Sequence, residues 1–270
     1  MMEETSILNE EHIFIHSLLG RTGSTAIQRL LNSSGEITIW GEPWGLIARV
    51  LDFSNFLEMR KTKLRGSHQQ QQFQVLVECM KSGVHDKFYP NAFRPLDDSI
   101  DLVDQLLINL LKSPDQTLTK FGYKDITNFK SSFIENLTKK FPNAHIVFMI
   151  RKPAAQWQSI KSTGFFNFDL DFFVNTYYSI GATILDLKQK FPNFPIIEKE
   201  WLMNDAVVSK LFESLSISKH DSQLVGRTVS TYPSARLEKS EYKKIQDSGV
   251  VQIYNQLKDY SSQDYSRIMS

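Results

Sequence analysis

Cysteine is almost missing: Cys79 is the only one in 270 residues. No intramolecular disulfide can form and no multi-cysteine zinc site can be built, so a reducing, cytoplasmic setting is expected. Neither sign of charge dominates. Lys and Arg total 31 against 30 Asp and Glu, a formal net charge of +1. Proteins that coat nucleic acids or heparin-like polyanions draw affinity from a basic surplus, so no such partner is expected. No apolar run approaches the roughly 20 residues of a membrane helix, and no membrane association is expected. The opening Met1-Met2-Glu3-Glu4 lacks the basic and apolar regions of a secretory signal. Internal repeats are absent too. One short glutamine run, 69–72, marks exposed loop or helix surface.

What is present is the composition of a folded globule, 41% hydrophobic and 23% charged. Short β-rich runs alternate with helical spacing. Strands are expected at 12–16, 37–40, 121–126, 145–150 and 195–199. Helices are expected at 24–32, 100–112, 128–140 with Asn128 as cap, 153–162, 169–190 and 204–215. Residues 61–68 read as a loop. The run His145–Ile150 is apolar at nearly every position, the pattern of a strand covered on both faces. Such alternation predicts an α/β domain with a central, mostly parallel sheet flanked by helices. The expected organisation is a single domain, 1–270, with a mostly helical insertion near 45–115 that forms part of a ligand pocket. Ligands of such sheets bind beyond the carboxyl ends of the strands.

Two segments fall at that edge. The first runs Ile13-Phe14-Ile15-His16-Ser17-Leu18-Leu19-Gly20-Arg21-Thr22-Gly23-Ser24-Thr25 and leads into a helix. Free N–H groups and the helix dipole make such an N-terminus attractive to anions. Gly20 and Gly23 allow close approach of the backbone. Arg21 adds a planar cation, and Thr22, Ser24 and Thr25 add hydroxyls. The plainer alternative is an ordinary strand–turn–helix connection capped by Ser24. A Walker A loop is excluded, because Gly23 rather than Lys precedes Ser24.

The second segment is the strand 145–150 followed by Arg151-Lys152-Pro153, with Ser159 eight positions after the arginine. A strand-end guanidinium and a serine two helical turns on can hold one anionic group from two sides. A surface arginine and an uninvolved serine would look the same locally.

Together the two segments resemble the sulfotransferases that use 3′-phosphoadenosine 5′-phosphosulfate. Arg21-Thr22-Gly23-Ser24-Thr25 is similar to the 5′-phosphosulfate loop of the bacterial, Golgi and tyrosylprotein branches. Arg151-Lys152-Pro153 with Ser159 is similar to the family's 3′-phosphate motif, with Lys152 where an acidic residue is usual. The resemblance covers residues 12–45 and 119–163. It implies a P-loop nucleotide-kinase-like fold and a donor that leaves as 3′,5′-adenosine bisphosphate. The expected acceptor is a hydroxyl or amine of a small molecule, a secondary metabolite. No metal is expected, since fixed cations stand where charge develops.

Sulfuryl transfer needs in-line alignment and cations near the leaving oxygen. It also needs a base for the acceptor's proton. Glu42, in Trp40-Gly41-Glu42-Pro43-Trp44, follows the second short strand and so falls on the same sheet edge. The resemblance supports it, since the tyrosylprotein branch carries a catalytic Gly-Glu at a matching distance. Its alternative is a helix-start Glu held by the dipole. His85 is the substitute base, because the cytosolic branch uses histidine. Lys124, ending the third strand, looks like a lysine that many members carry near the transferring group. Arg227 is assigned to a C-terminal loop over the nucleotide, although the family's Arg-Lys-Gly signature is absent there. His12, His16, His68, His145 and His220 are read as structural or exposed, and Phe172-Phe173 and Tyr177-Tyr178 as helix core. Trp40, Trp44, Phe88, Tyr89 and Phe93 supply an aromatic acceptor pocket, and Asp86, Asp97 and Asp98 a conceivable cationic preference. The competing functions are a P-loop-type small-molecule kinase and a non-catalytic nucleotide-binding module.

Overall fold

A computed structural model describes residues 7–41, 45–64, 68–82, 96–115, 117–126, 130–164, 166–227 and 235–270. The chain divides into two compact units, 1–45 with 111–270, and 46–110. The first contains five strands: β1 (Ile13–Ser17), β2 (Thr38–Trp40), β3 (Phe121–Asp125), β4 (His145–Ile150) and β5 (Ile196–Glu198). They form one sheet in the order β2-β3-β1-β4-β5. Every pairing is parallel. With β1 central, all five strands deliver their carboxyl ends to one edge.

Period-two alternation sorts the side chains of these strands onto two faces. Ile13, Ile15, Val147, Met149 and Ile197 face one way. They pack on Ile27, Leu30 and Leu31 of α1 (Ser24–Ser33), and on residues 207–212 of the later helix 205–214. The other face is aromatic. His12 stacks on Phe121 with ring centroids 3.8 Å apart, and Phe14 lies 5.1 Å from Tyr123 and 5.2 Å from Phe141. Both histidines of β1's flank, His12 and His16, are fully buried. Burial favours the neutral imidazole and pushes each down to about 4.

The second unit holds α2 (Leu46–Leu64), α3 (His68–Ser82) and α4 (Asp97–Leu111), which ends just inside the first unit. Residues 61–68 are therefore not a single loop: α2 runs through Leu64 and α3 begins at His68. The basic residues Lys61 and Lys63 sit in the last turn of α2, where the dipole favours them. Ser54 donates to Asp104 at 3.1 Å, and Lys61 pairs with Asp97 at 2.6 Å, joining α2 to α4.

Returning to the sheet unit, α5 spans Ser131–Lys140 and is entered through extended Lys130. The expected cap at Asn128 lies outside the described residues. Next come α6 (Pro153–Thr163), α7 (Leu170–Lys190), α8 (Asp205–Ser214), α9 (Lys239–Asp247) and α10 (Val250–Met269). Pro153 opens α6, where its missing N–H costs nothing. Asp169 and Asn204 cap α7 and α8 through their side chains. On α7, Phe173 and Tyr177 are buried core, whereas Phe172 and Tyr178 are exposed. The amphipathic stripe of a helix reaches only one member of each adjacent pair.

No helix is expected from the sequence at α9 or α10, although α10 opens on an apolar stripe of Val250, Ile253, Tyr254 and Leu257. α10 buries Ile253 and Leu257 but also Ser261 and Asp264. Asp264 accepts two hydrogen bonds from Lys188 of α7, both 2.8 Å, and one from the Ile196 N–H of β5 at 2.8 Å. A buried ion pair thus fastens the last helix to the sheet edge. Among the described residues, no helix is long and apolar enough to cross a membrane.

Candidate functional site

The connection from β1 to α1 is built from unusual backbone. Leu19, Arg21 and Gly23 all have positive φ, at 61°, 71° and 101°. Glycine takes that region freely, whereas Leu and Arg are strained there. Gly23 is the N-cap of α1, and no side chain caps the helix. The plainer alternative, a helix capped by the Ser24 side chain, is thus excluded, because Ser24 already lies in the first turn. Its N-terminal N–H groups remain available to an anion.

The second segment comes to the same place. Arg151 donates from Nη1 to the Arg21 carbonyl at 2.9 Å, across 130 positions of sequence. Arg21 donates from Nε to Ser159 Oγ at 3.2 Å. Tyr177, fully buried, donates to the Arg151 carbonyl at 2.9 Å and fixes the strand end. Gln158, on α6, donates to the Ala235 carbonyl at 2.8 Å.

These residues line a cavity of about 350 Å³. Its wall contains Arg21, Gly23, Ser24 and Thr25 from the first segment, and Arg151 and Ser159 from the second. Lys199 and Arg227 complete a set of four cations, and Leu202, Met203 and Leu224 give it an apolar side. Among the described residues no carboxylate lines it. Arg151 Nε is buried without a partner. Burial, followed by repulsion from Arg21, holds the Arg151 guanidinium below its usual range, with Glu200 opposing. Burial, then repulsion from Arg151 and Arg21, does the same to Lys199. A half-open pocket with four cations, no lining acid among the described residues and a buried Arg151 Nε–H without a partner fits a polyanionic ligand with an apolar portion.

Two sequence candidates stand just outside the cavity wall. Thr22 is fully buried and its hydroxyl has no partner among the described residues, so only its backbone can face a ligand. Lys124 is buried on β3 and donates to Thr25 Oγ1 at 3.2 Å, tying it to the first turn of α1. Glu42, Pro43, Trp44, His85, Asp86, Phe88, Tyr89 and Phe93 lie outside the described residues, as do positions 228–230 beyond Arg227. Asp97 and Asp98 open α4 and are exposed.

Two participants escaped the sequence reading. Lys199 follows β5 directly, and its stem passes the Gly23 α-carbon so closely that an added Cβ would meet Lys199 Cγ at 3.0 Å. Its one sequence signal is a cation at a strand's carboxyl end. Gln156, on α6, is fully buried and donates to the carbonyls of Leu18 and Gly20, the latter at 2.8 Å. Nothing local in the sequence announces those contacts.

Residues 13–215 match the model of the sulfotransferase family. Two solved structures are similar in outline. One is the sulfotransferase domain from the Synechococcus PCC 7002 olefin synthase, 16% identical, covering 97% of this chain and 94% of that one, with a TM-score of 0.46. The other is the sulfotransferase domain from the curacin biosynthetic pathway, 15% identical, covering 93% of this chain and 98% of that one, with a TM-score of 0.46. No curated protein matches the chain.

Proposed function

This chain belongs to the sulfotransferase family, and on that premise we propose that it transfers a sulfuryl group from 3′-phosphoadenosine 5′-phosphosulfate to a hydroxyl or amine of a small-molecule acceptor. The observation that carries the donor assignment is the junction of Arg21 with Arg151 and Ser159 in one cation-lined cavity.

In this reading Arg151 and Ser159 hold the 3′-phosphate. The N–H groups of residues 22–25 and the Arg21 guanidinium hold the 5′-phosphosulfate. Lys199, whose stem lies against Gly23, and Arg227 add further charge, and Leu202, Met203 and Leu224 receive the base. As the S–O bond to the 5′-phosphate breaks, negative charge gathers on the departing phosphate oxygen. Arg21 and the α1 N–H groups are poised to stabilise it. Lys124, held against Thr25, supports the transferring group from the β3 side. A new bond forms between sulfur and the acceptor's oxygen or nitrogen, and the acceptor's proton passes to a base. Glu42 is assigned that role, with His85 as the substitute. The bisphosphate departs as product, and no metal is invoked.

The test is calorimetric titration with 3′,5′-adenosine bisphosphate, adenosine 5′-phosphate and adenosine 3′-phosphate. The bisphosphate is expected to bind at least about 100-fold more tightly than either monophosphate, because each phosphate engages its own charged subsite. Equal affinity for all three would remove the two-ended donor site.

A further inference from the structure

The loop between β1 and α1 is strained, yet nothing in it is loose. Four successive carbonyls, from Leu18 to Arg21, each accept a hydrogen bond from a side chain. Ser17 Oγ takes Leu19 at 2.8 Å, and Arg151 takes Arg21 at 2.9 Å. Gln156 takes the other two, Leu18 and Gly20, with one amide nitrogen. Among these anchors only Gln156 reaches the loop from α6 without being a charged ligand candidate. Its side chain is fully buried.

Trans planar peptides put each N–H opposite the carbonyl of its own plane. Every peptide bond in the described chain is trans. Pulling the Leu18 and Gly20 carbonyls towards Gln156 therefore turns the N–H groups of Leu19 and Arg21 the other way. The same grip brackets Leu19, whose positive φ is strained for a residue with a Cβ. Arg21 carries the same strain one residue beyond the second anchored carbonyl. Without an outside hold, the loop would relax, and the Arg21 side chain and the N–H groups of residues 22–25 that follow it would lose their shared aim.

We propose that Gln156 is a positioning residue for the 5′ half of the donor site. Its amide clamps the strained loop in the shape that presents the anion-binding groups. It stands three residues before Ser159, so one helix carries both a 3′-phosphate ligand and the clamp for the 5′ loop. This inference rests on the donor reading above.

The experiment compares wild type with Gln156→Met, which keeps the volume and removes the amide. Binding of adenosine 5′-phosphate, adenosine 3′-phosphate and 3′,5′-adenosine bisphosphate is measured by calorimetry well below the melting temperature. Gln156→Met is expected to weaken the 5′-phosphate and the bisphosphate at least tenfold while the 3′-phosphate changes less than threefold. Should that variant not fold, Gln156→Asn, which keeps an amide on a shorter arm, is measured instead, with a smaller loss of the same selectivity. Unchanged binding, or equal losses for both monophosphates, overturns the clamp. Wild type that binds none of the three nucleotides overturns the donor reading itself. Wild type that binds them, with Gln156→Met indistinguishable from it, overturns only the clamp.

Discussion

The guanidinium of Arg151 grips the main-chain carbonyl of Arg21 at 2.9 Å, and the guanidinium of Arg21 grips the hydroxyl of Ser159 at 3.2 Å. Two arginines are thus brought together in a cavity that no carboxylate lines among the described residues, with Glu200 as a partial counter-charge to Arg151. Like charges gathered in a half-buried cavity destabilise the ligand-free protein and reward an arriving anion.

Removing one of the clustered cations separates binding from stability. Lys199→Met keeps the aliphatic stem against Gly23 and deletes the ammonium. The melting temperature without ligand is expected to hold or rise, because a half-buried ammonium repelled by Arg151 is removed, which outweighs the lost attraction to Glu200. Affinity for 3′,5′-adenosine bisphosphate is expected to fall by about 1.4–3 kcal/mol, roughly 10- to 150-fold. Calorimetry and thermal melting on the same sample check both halves.

Glu42→Gln addresses the base. The variant is expected to bind the bisphosphate within twofold of wild type and to lose about 100-fold or more in kcat, the range of general-base catalysis. Steady-state assay with a reactive acceptor gives the comparison. Full turnover would pass the role to His85 or to no side chain at all.

Asp264→Ala tests the anchoring of α10. The change would leave the Lys188 ammonium buried without its carboxylate and the Ile196 N–H without its acceptor. A loss of about 3–5 kcal/mol is expected, read as a lower urea midpoint. A double change, Lys188→Met with Asp264→Leu, is expected to recover part of it, since no charge then stays buried while the Ile196 N–H still lacks its acceptor.

Acid should weaken the fold before its carboxylates titrate. His12 and His16 are held neutral by burial at a folded value of about 4, below the ordinary 6.5. A histidine depressed in this way binds its proton more readily in the unfolded chain. Its contribution is whole above pH 6.5 and drains away as pH falls from 6.5 towards 4. Each histidine removes up to about 1.4 kcal/mol per pH unit across that window. Urea denaturation at pH 7.5, 6.5, 5.5 and 5.0 is expected to show a steepening fall. A flat profile would mean that the imidazoles are not held neutral.

Much of this architecture was legible because its causes are local. The continuous apolar run of β4 and the Pro153 start of α6 are written in consecutive residues, and both elements appear where expected. Arg151 and Ser159 were legible for the same reason, since a strand end and two helical turns fix their separation. Lys199 was not, because one more cation among 31 basic residues carries no spacing signal. Gln156 was hidden more deeply. Its partners lie 136 and 138 positions away, and only the folded sheet brings them within reach. The last helix was obscured by its own ion pair, which puts Asp264 where an apolar residue would have continued the stripe.

The central claim is that one coenzyme is held at both ends by the segments around Arg21 and Arg151. Its most direct test is thermal melting with 3′,5′-adenosine bisphosphate beside ATP with Mg²⁺. At about 100 times its dissociation constant, the bisphosphate should add about 2.7 kcal/mol, or roughly 5–10 °C for a chain of this size. ATP with Mg²⁺ should add little. A larger shift with ATP and Mg²⁺ than with the bisphosphate would contradict the account and favour a phosphoryl-transfer enzyme.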